Sequence, residues 1–195
     1  RDNGYLKLKS SAEKKEIDFQ YQVTFSDDTS LGMNSNNADR DEVEFAQRLE
    51  DGRLDVTMFD AGLAELRRLA DQWGFVPILL YTPSAYTAYE GMTIFDDPGI
   101  ERTMRNYSKT LRRYFAAKAG ELGFRYLDLT PHLAEAAQAS NVNDLLYFRT
   151  NVHFTQSGHQ VVAAQLAELL REELDSGSGG GNQSASGLRR PANTP

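Results

Sequence analysis

The chain contains no cysteine. Disulfide scaffolds, cysteine-ligated zinc, iron–sulfur clusters and thiol nucleophiles are therefore excluded. The absence fits either side of a bacterial inner membrane and does not choose between them, so the compartment stays open. A basic surplus is lacking as well: 21 Lys and Arg stand against 28 Asp and Glu, a formal net charge of −7. Proteins built to coat nucleic acid gather positive charge on one face, so no nucleic-acid partner is expected. No apolar run approaches the roughly 20 residues that cross a bilayer, and the segment reads as having no membrane span. Position 1 is Arg1 in place of methionine. The chain is accordingly read as a processed product or a piece of a longer reading frame. What remains is ordinary in kind: 195 residues, 40% hydrophobic and 25% charged, about one domain or most of one.

Ile17 to Phe25 alternates apolar and polar residues strictly, which predicts a half-buried strand, antiparallel or at a sheet edge. Ser26 to Asn37 reads as a loop by its Asp, Gly and Asn content. Asp39 to Leu49 reads as a short helix with Val43, Ala46 and Leu49 inward. Asp60 is a plausible N-cap for a helix carrying Leu63, Leu66, Leu69, Ala70 and Trp73, with Gly74 as its stop. Phe75 to Tyr81 is apolar almost throughout, the mark of a strand buried on both faces in a parallel sheet. Thr82 to Pro98 reads as a long loop, Ile100 to Leu122 as an amphipathic helix capped by Gly123, and Phe124 to Leu129 as a second buried strand. Pro131 starts a small helix to about Ala139, and Gln156 to Leu174 forms the last helix.

Helices alternating with buried strands predict an α/β fold built on a parallel unit. Two such strands cannot cover each other's edges, so the sheet is expected to be incomplete in this chain. Residues 1–53 are read as an N-terminal strand, loop and helix inserted in or connecting to the main domain. Residues 54–174 form the α/β part, and 175–195, rich in Gly, Ser and Asn, reads as a disordered tail.

Three histidines are available for chemistry. His153 follows polar loop residues and precedes a helix, a place where an imidazole is held by backbone yet free to face a cleft and move protons near neutrality. The same placement equally suits a histidine that only caps or packs the helix. His159 lies six residues on, not at the i, i+4 spacing of a paired metal site, and His132 follows Pro131 as a surface or cap residue. No metal and no cofactor are expected. The acidic and amide-rich run Asn34 to Asp39 lacks the ligand spacing of a calcium loop. Ser84 directly follows a buried strand, where ligands of parallel sheets bind. It is a candidate for substrate contact, for a structural turn or, without the flanking glycines of a nucleophile elbow, for a nucleophile. Tyr86 and Tyr89 in the same loop could line a pocket or only anchor the loop.

The stretch Asn151-Val-His153-Phe-Thr-Gln-Ser-Gly158-His159, followed by an apolar helix, resembles the last conserved block of the SGNH (GDSL-type) hydrolases. The Tyr81-Thr-Pro83-Ser-Ala-Tyr86 loop and the strand ending Leu127-Asp-Leu-Thr-Pro131 are similar to the same superfamily, and the resemblance covers about residues 54 to 171. It implies a three-layer α/β/α domain with a parallel, flavodoxin-like sheet and a Ser–His–Asp mechanism on an acyl ester. His153 would be the general base and Asn151, where many members carry Asp, its orienter; Asp128 or Asp144 are alternatives for that role. Nothing matches the Gly-Asp-Ser block of the nucleophile or the Gly-x-Asn-Asp block of the oxyanion hole. Arg1-Asp-Asn-Gly-Tyr5 resembles the residues after the latter, so the nucleophile is expected upstream. The implied partner is a small-molecule or carbohydrate acyl ester. An O-acyltransferase acting on a polysaccharide and a catalytically inactive binding module are the competing readings.

Overall fold

The computed structural model describes residues 19–35, 40–95, 97–151 and 153–178. Strand β1 (Phe19–Thr24) keeps the expected alternation: Tyr21, Val23 and the following Phe25 are buried while Gln22 is exposed. Ile17 and Asp18, the start of the predicted strand, lie outside the described residues. The chain turns back at Asp28, whose φ of 62° is left-handed, and the turn is closed by the Phe25 N–H on the Thr29 carbonyl. Here the loop expectation fails, because β2 (Ser30–Ser35) pairs antiparallel with β1, Tyr21 opposite Met33. Composition alone hid it. Leu31 and Met33 supply the inward side chains, and β1 satisfies the backbone that a polar segment would otherwise give to water. The Asn34–Asp39 run falls largely outside the described residues.

Helix α1 (Arg40–Glu50) sets Ala46 into the core. Asp55 then caps a 3-10 turn (Val56–Phe59) that runs without a break into α2 (Asp60–Trp73). Asp60 is therefore not an N-cap. Its φ of −58° and ψ of −46° are already helical, so its carboxylate is free to accept from the Tyr114 hydroxyl at 2.5 Å and to pair with Lys118 at 3.1 Å. Gly74, at φ 70°, ends the helix as expected.

Strand β3 (Ile78–Tyr81) is shorter than predicted, and Phe75 and Val76 ahead of it are exposed. Beyond it the expected loop is structured. Ser84 caps α3 (Ala85–Ala88), a 3-10 turn (Glu90–Met92) follows, and β4 (Thr93–Ile94) joins the free side of β1. Asp97 caps the long α4 (Pro98–Leu122) by accepting from the Gly99 N–H at 2.7 Å. Strand β5 (Arg125–Asp128) pairs parallel with β3, Leu80 opposite Leu127. Helices α5 (Thr130–Ala139) and α6 (Gln156–Ser178) complete the chain. The last helix runs through Ser178, so the first four residues of the expected tail are helical; residues 179–195 lie outside the described part.

The fold is α/β, with a three-stranded antiparallel sheet in the order β2–β1–β4 and a parallel β3–β5 pair. Burial corrects one expectation: β3 and β5 are half-buried, not sealed on both faces. Leu79 and Tyr126 pack with Leu63, Ala119 and Phe124, from α2, α4 and the turn before β5. Leu80 and Leu127 pack with the larger core, where Tyr21, Val23 and Met33 meet Tyr86, Leu129, Leu133 and Tyr147. Residues on both sides of position 53 thus share one apolar core.

Candidate functional site

The segment around His153 is a tight hairpin. Tyr147 bridges Phe154 in antiparallel fashion, and the Phe148 N–H donates to the His153 carbonyl at 3.0 Å. Each feature of the hairpin has a side chain behind it. Asn151 Oδ1 accepts from the His153 N–H at 2.9 Å, the side-chain-to-backbone turn that Asn favours, and lies 3.2 Å from His153 Nδ1. A proton on Nδ1 would thus be held by an amide oxygen, leaving Nε2 as the basic nitrogen. The ring itself is exposed.

Three anchors set the hairpin's position. The Tyr147 hydroxyl donates to the Pro83 carbonyl at 2.8 Å, just past the end of β3. The Leu146 N–H donates to the Tyr89 hydroxyl at 2.9 Å. Arg149 Nε donates to the Gly32 carbonyl at 2.9 Å, and its guanidinium sits 4.6 Å from the centre of the Phe19 ring. The hairpin is thereby held between the β1–β2 ribbon and the loop leaving β3, with its Tyr147 anchor just past the end of that strand. Sequence reasoning missed Arg149 and Tyr147 in this role. An Arg beside a histidine block and a Tyr facing Phe154 carried no spacing signal, since their partners are 117 and 64 residues away.

Burial keeps both tyrosines neutral. It pushes the Tyr147 phenol far above its ordinary range, with the nearby Tyr89 adding to the rise, and pushes the Tyr89 phenol above its own. They act as fixed hydrogen-bonding groups, not as proton carriers.

The other sequence candidates are placed elsewhere. Asp128 accepts from Arg112 Nε at 2.6 Å and from the Thr130 N–H at 2.9 Å. Asp144 accepts from the Ser157 hydroxyl. Of the three candidate orienters, only Asn151 is brought to the His153 ring. Ser84 caps α3 through the Thr87 N–H and donates to the Thr87 hydroxyl, both at 3.2 Å. Tyr86, 1% exposed, is packed against Tyr21 and Phe95, and its hydroxyl donates to the Glu101 carbonyl. Burial raises its phenol to about 12. A core position of this kind gives it a packing role rather than a pocket-lining one. His159 is exposed, with its ring 5.6 Å from that of Phe154, and His132 is half-buried on α5. Among the described residues no hydroxyl hydrogen-bonds to the His153 ring, no three His, Asp or Glu groups could hold a metal ion, and no helix is long and apolar enough to cross a membrane.

Comparison of the chain with protein-family models, with curated proteins and with solved structures gives no match.

Proposed function

We propose that the chain is the histidine-bearing part of an SGNH-type esterase or acyl-ester hydrolase, with His153 as general base and Asn151 as its orienter. The observation that carries this reading is the exposed His153 ring, with Asn151 Oδ1 3.2 Å from Nδ1, on a hairpin tied to Pro83 at the finishing end of a parallel strand. In the proposed cycle a serine hydroxyl attacks the ester carbonyl, and His153 Nε2 takes the proton and returns it to the leaving alcohol. The serine belongs to sequence outside these residues. So do the further strands of the three-layer, flavodoxin-like sheet, for which residues 54–174 would supply two strands and residues 1–53 an insertion. Support for an unfinished sheet comes from the outer edges of β3 and β5, unpaired among the described residues, and from Phe75 and Val76, exposed ahead of β3.

The experiment is hydrolysis of p-nitrophenyl acetate. The 195-residue chain alone is expected at background. The longer natural product is expected to be active, and His153→Ala to lower its kcat by about 10³-fold or more. Full activity in that variant removes His153 from the mechanism. Transfer to an added sugar acceptor would place the reaction as acyl transfer from the same acyl-enzyme.

A second reading, an inactive binding module, is favoured by the absence of a hydroxyl on the His153 ring among the described residues. A fluorophosphonate probe separates the two. Labelling of the longer product requires an activated serine, and no labelling favours the module.

A further inference from the structure

Tyr147 and Phe154 turn one face of the hairpin toward the core, and none of the described residues of its tip, Phe148 to His153, is buried. Among the described residues, Arg149 is the only side chain of that tip to hydrogen-bond outside the hairpin. Its seat is made by two residues of the β1–β2 ribbon. A Cβ on Gly32 would overlap the Phe19 ring, so the missing side chain is what lets the ring lie across β2. The Arg149 guanidinium sits over that ring, 4.6 Å from its centre, while Nε donates to the Gly32 carbonyl at 2.9 Å. The ribbon reaches the hairpin by a second route. Phe25 packs edge-on against Tyr89 at 6.3 Å, and the Tyr89 hydroxyl accepts from the Leu146 N–H.

What the tip does for the imidazole follows from one oxygen. Asn151 Oδ1 accepts the His153 backbone N–H at 2.9 Å and lies 3.2 Å from Nδ1 of the ring. Turning the amide to offer its NH2 to the ring would break the backbone bond. In the neutral imidazole the nitrogen facing Oδ1 must therefore carry the proton, and Nε2 keeps the free lone pair. That tautomer lasts only while the tip keeps its turn, because the ring is exposed and water can serve either nitrogen. We propose that Arg149 is a positioning residue for His153: seated on Phe19 and Gly32, it fixes the tip so that Asn151 holds the Nδ1 proton. The β1–β2 ribbon, read from the sequence as part of an insertion, is then a working part of the site. The catalytic consequence rests on the reading of His153 as general base. The tautomer is a property of this chain whatever its reaction.

Long-range proton–nitrogen NMR of the 195-residue chain, in mildly alkaline solution where imidazoles are neutral, reads which ring nitrogen carries the proton. His153 is expected mainly as the Nδ1–H form. Arg149→Met keeps most of the stem but loses the donor and the charge, and is expected to return the ring to a mixture in which Nε2–H prevails. Arg149→Lys, which keeps a cation without the planar fork, is expected to fall between the two. The Tyr147–Phe154 ring contact lies behind the tip and is expected to persist in both variants as a nuclear Overhauser effect. In the longer natural product, Arg149→Met is expected to lower kcat on p-nitrophenyl acetate by about ten- to a hundredfold with KM nearly unchanged. The inference is overturned by a dominant Nε2–H form in the parent chain, by the parent's tautomer in Arg149→Met, or by an unchanged kcat in that variant. Loss of the Tyr147–Phe154 contact also overturns it, because Arg149 would then hold the whole hairpin and not the tip. A longer product that hydrolyses no ester, with the tautomer shifting as expected, leaves the positioning standing and removes the hydrolase reading.

Discussion

At Gly158 a Cβ would lie 2.2 Å from the Leu146 carbonyl oxygen and 2.8 Å from Phe154 Cδ1, so the first turn of α6 rests directly on the backbone that leads into the hairpin. Backbone cannot step aside as the end of a flexible side chain can. Gly158→Ala is therefore expected to destabilise by about 1–3 kcal/mol, read as a lower urea midpoint. Gly120, inside α4, is the opposite case, with nothing within 4 Å of its absent Cβ. There alanine restricts the unfolded chain and fits the helix, so Gly120→Ala is expected to stabilise by about 0.5–1 kcal/mol. Equal effects of the same sign at the two positions would contradict the packing described at Gly158.

Among the elements, the hairpin that carries His153 is too short to hold itself, since an isolated two-stranded ribbon is marginal in water. Its geometry is borrowed through Tyr147, Leu146 and Arg149 from the loop after β3 and from the β1–β2 ribbon. Tyr147→Phe keeps the ring, which packs 4.7 Å from that of Phe154, and removes only the donor to the buried Pro83 carbonyl. Leaving that oxygen unpaired is expected to cost about 1–3 kcal/mol. Amide hydrogen exchange at Phe148, whose N–H closes the hairpin, should rise with it. Unchanged protection at Phe148 would mean that the hairpin does not depend on this anchor.

For the molecule as a whole, the large core is unusually phenolic: Tyr21, Tyr86, Tyr89 and Tyr147 are all buried in it. Burial raises every one of these phenols, Tyr86 to about 12, and raises the half-buried Tyr81 to about 12 as well. A phenol whose folded-state pKa exceeds its unfolded value of about 10 contributes stability fully present below pH 10. Above that pH the unfolded chain releases protons that the folded chain retains, so the contribution is lost as pH climbs toward 12. Unfolding free energy is expected to be level from about pH 7 to 9 with respect to these groups and to fall steeply from about pH 10. Urea titrations at stepped pH measure it. Tyr86→Phe should make the alkaline decline shallower, and a decline as steep as in the parent chain would exclude Tyr86 as a contributor.

The helices were legible because their signals are local: apolar residues at helical spacing, Gly74 and Gly123 as left-handed stops, a proline at the start of α5. The parallel β3–β5 pair was legible in kind from its apolar runs, whereas Asn151 was named beside His153 only through the resemblance to the SGNH histidine block, with Asp128 and Asp144 as alternatives, and the fold brings Asn151 to the ring. Strand β2 and the partner of Asp60 were not, because a polar strand is stabilised by the neighbour it pairs with and a carboxylate by a hydroxyl 54 residues away. Nor could the sequence say which residues of the Ser84–Tyr89 loop turn inward. Hydrophobic period and capping chemistry act over a few residues and can be read in one dimension. Pairing, close approach and the satisfaction of buried polar atoms depend on what the folded chain brings alongside, and only the tertiary structure settles them.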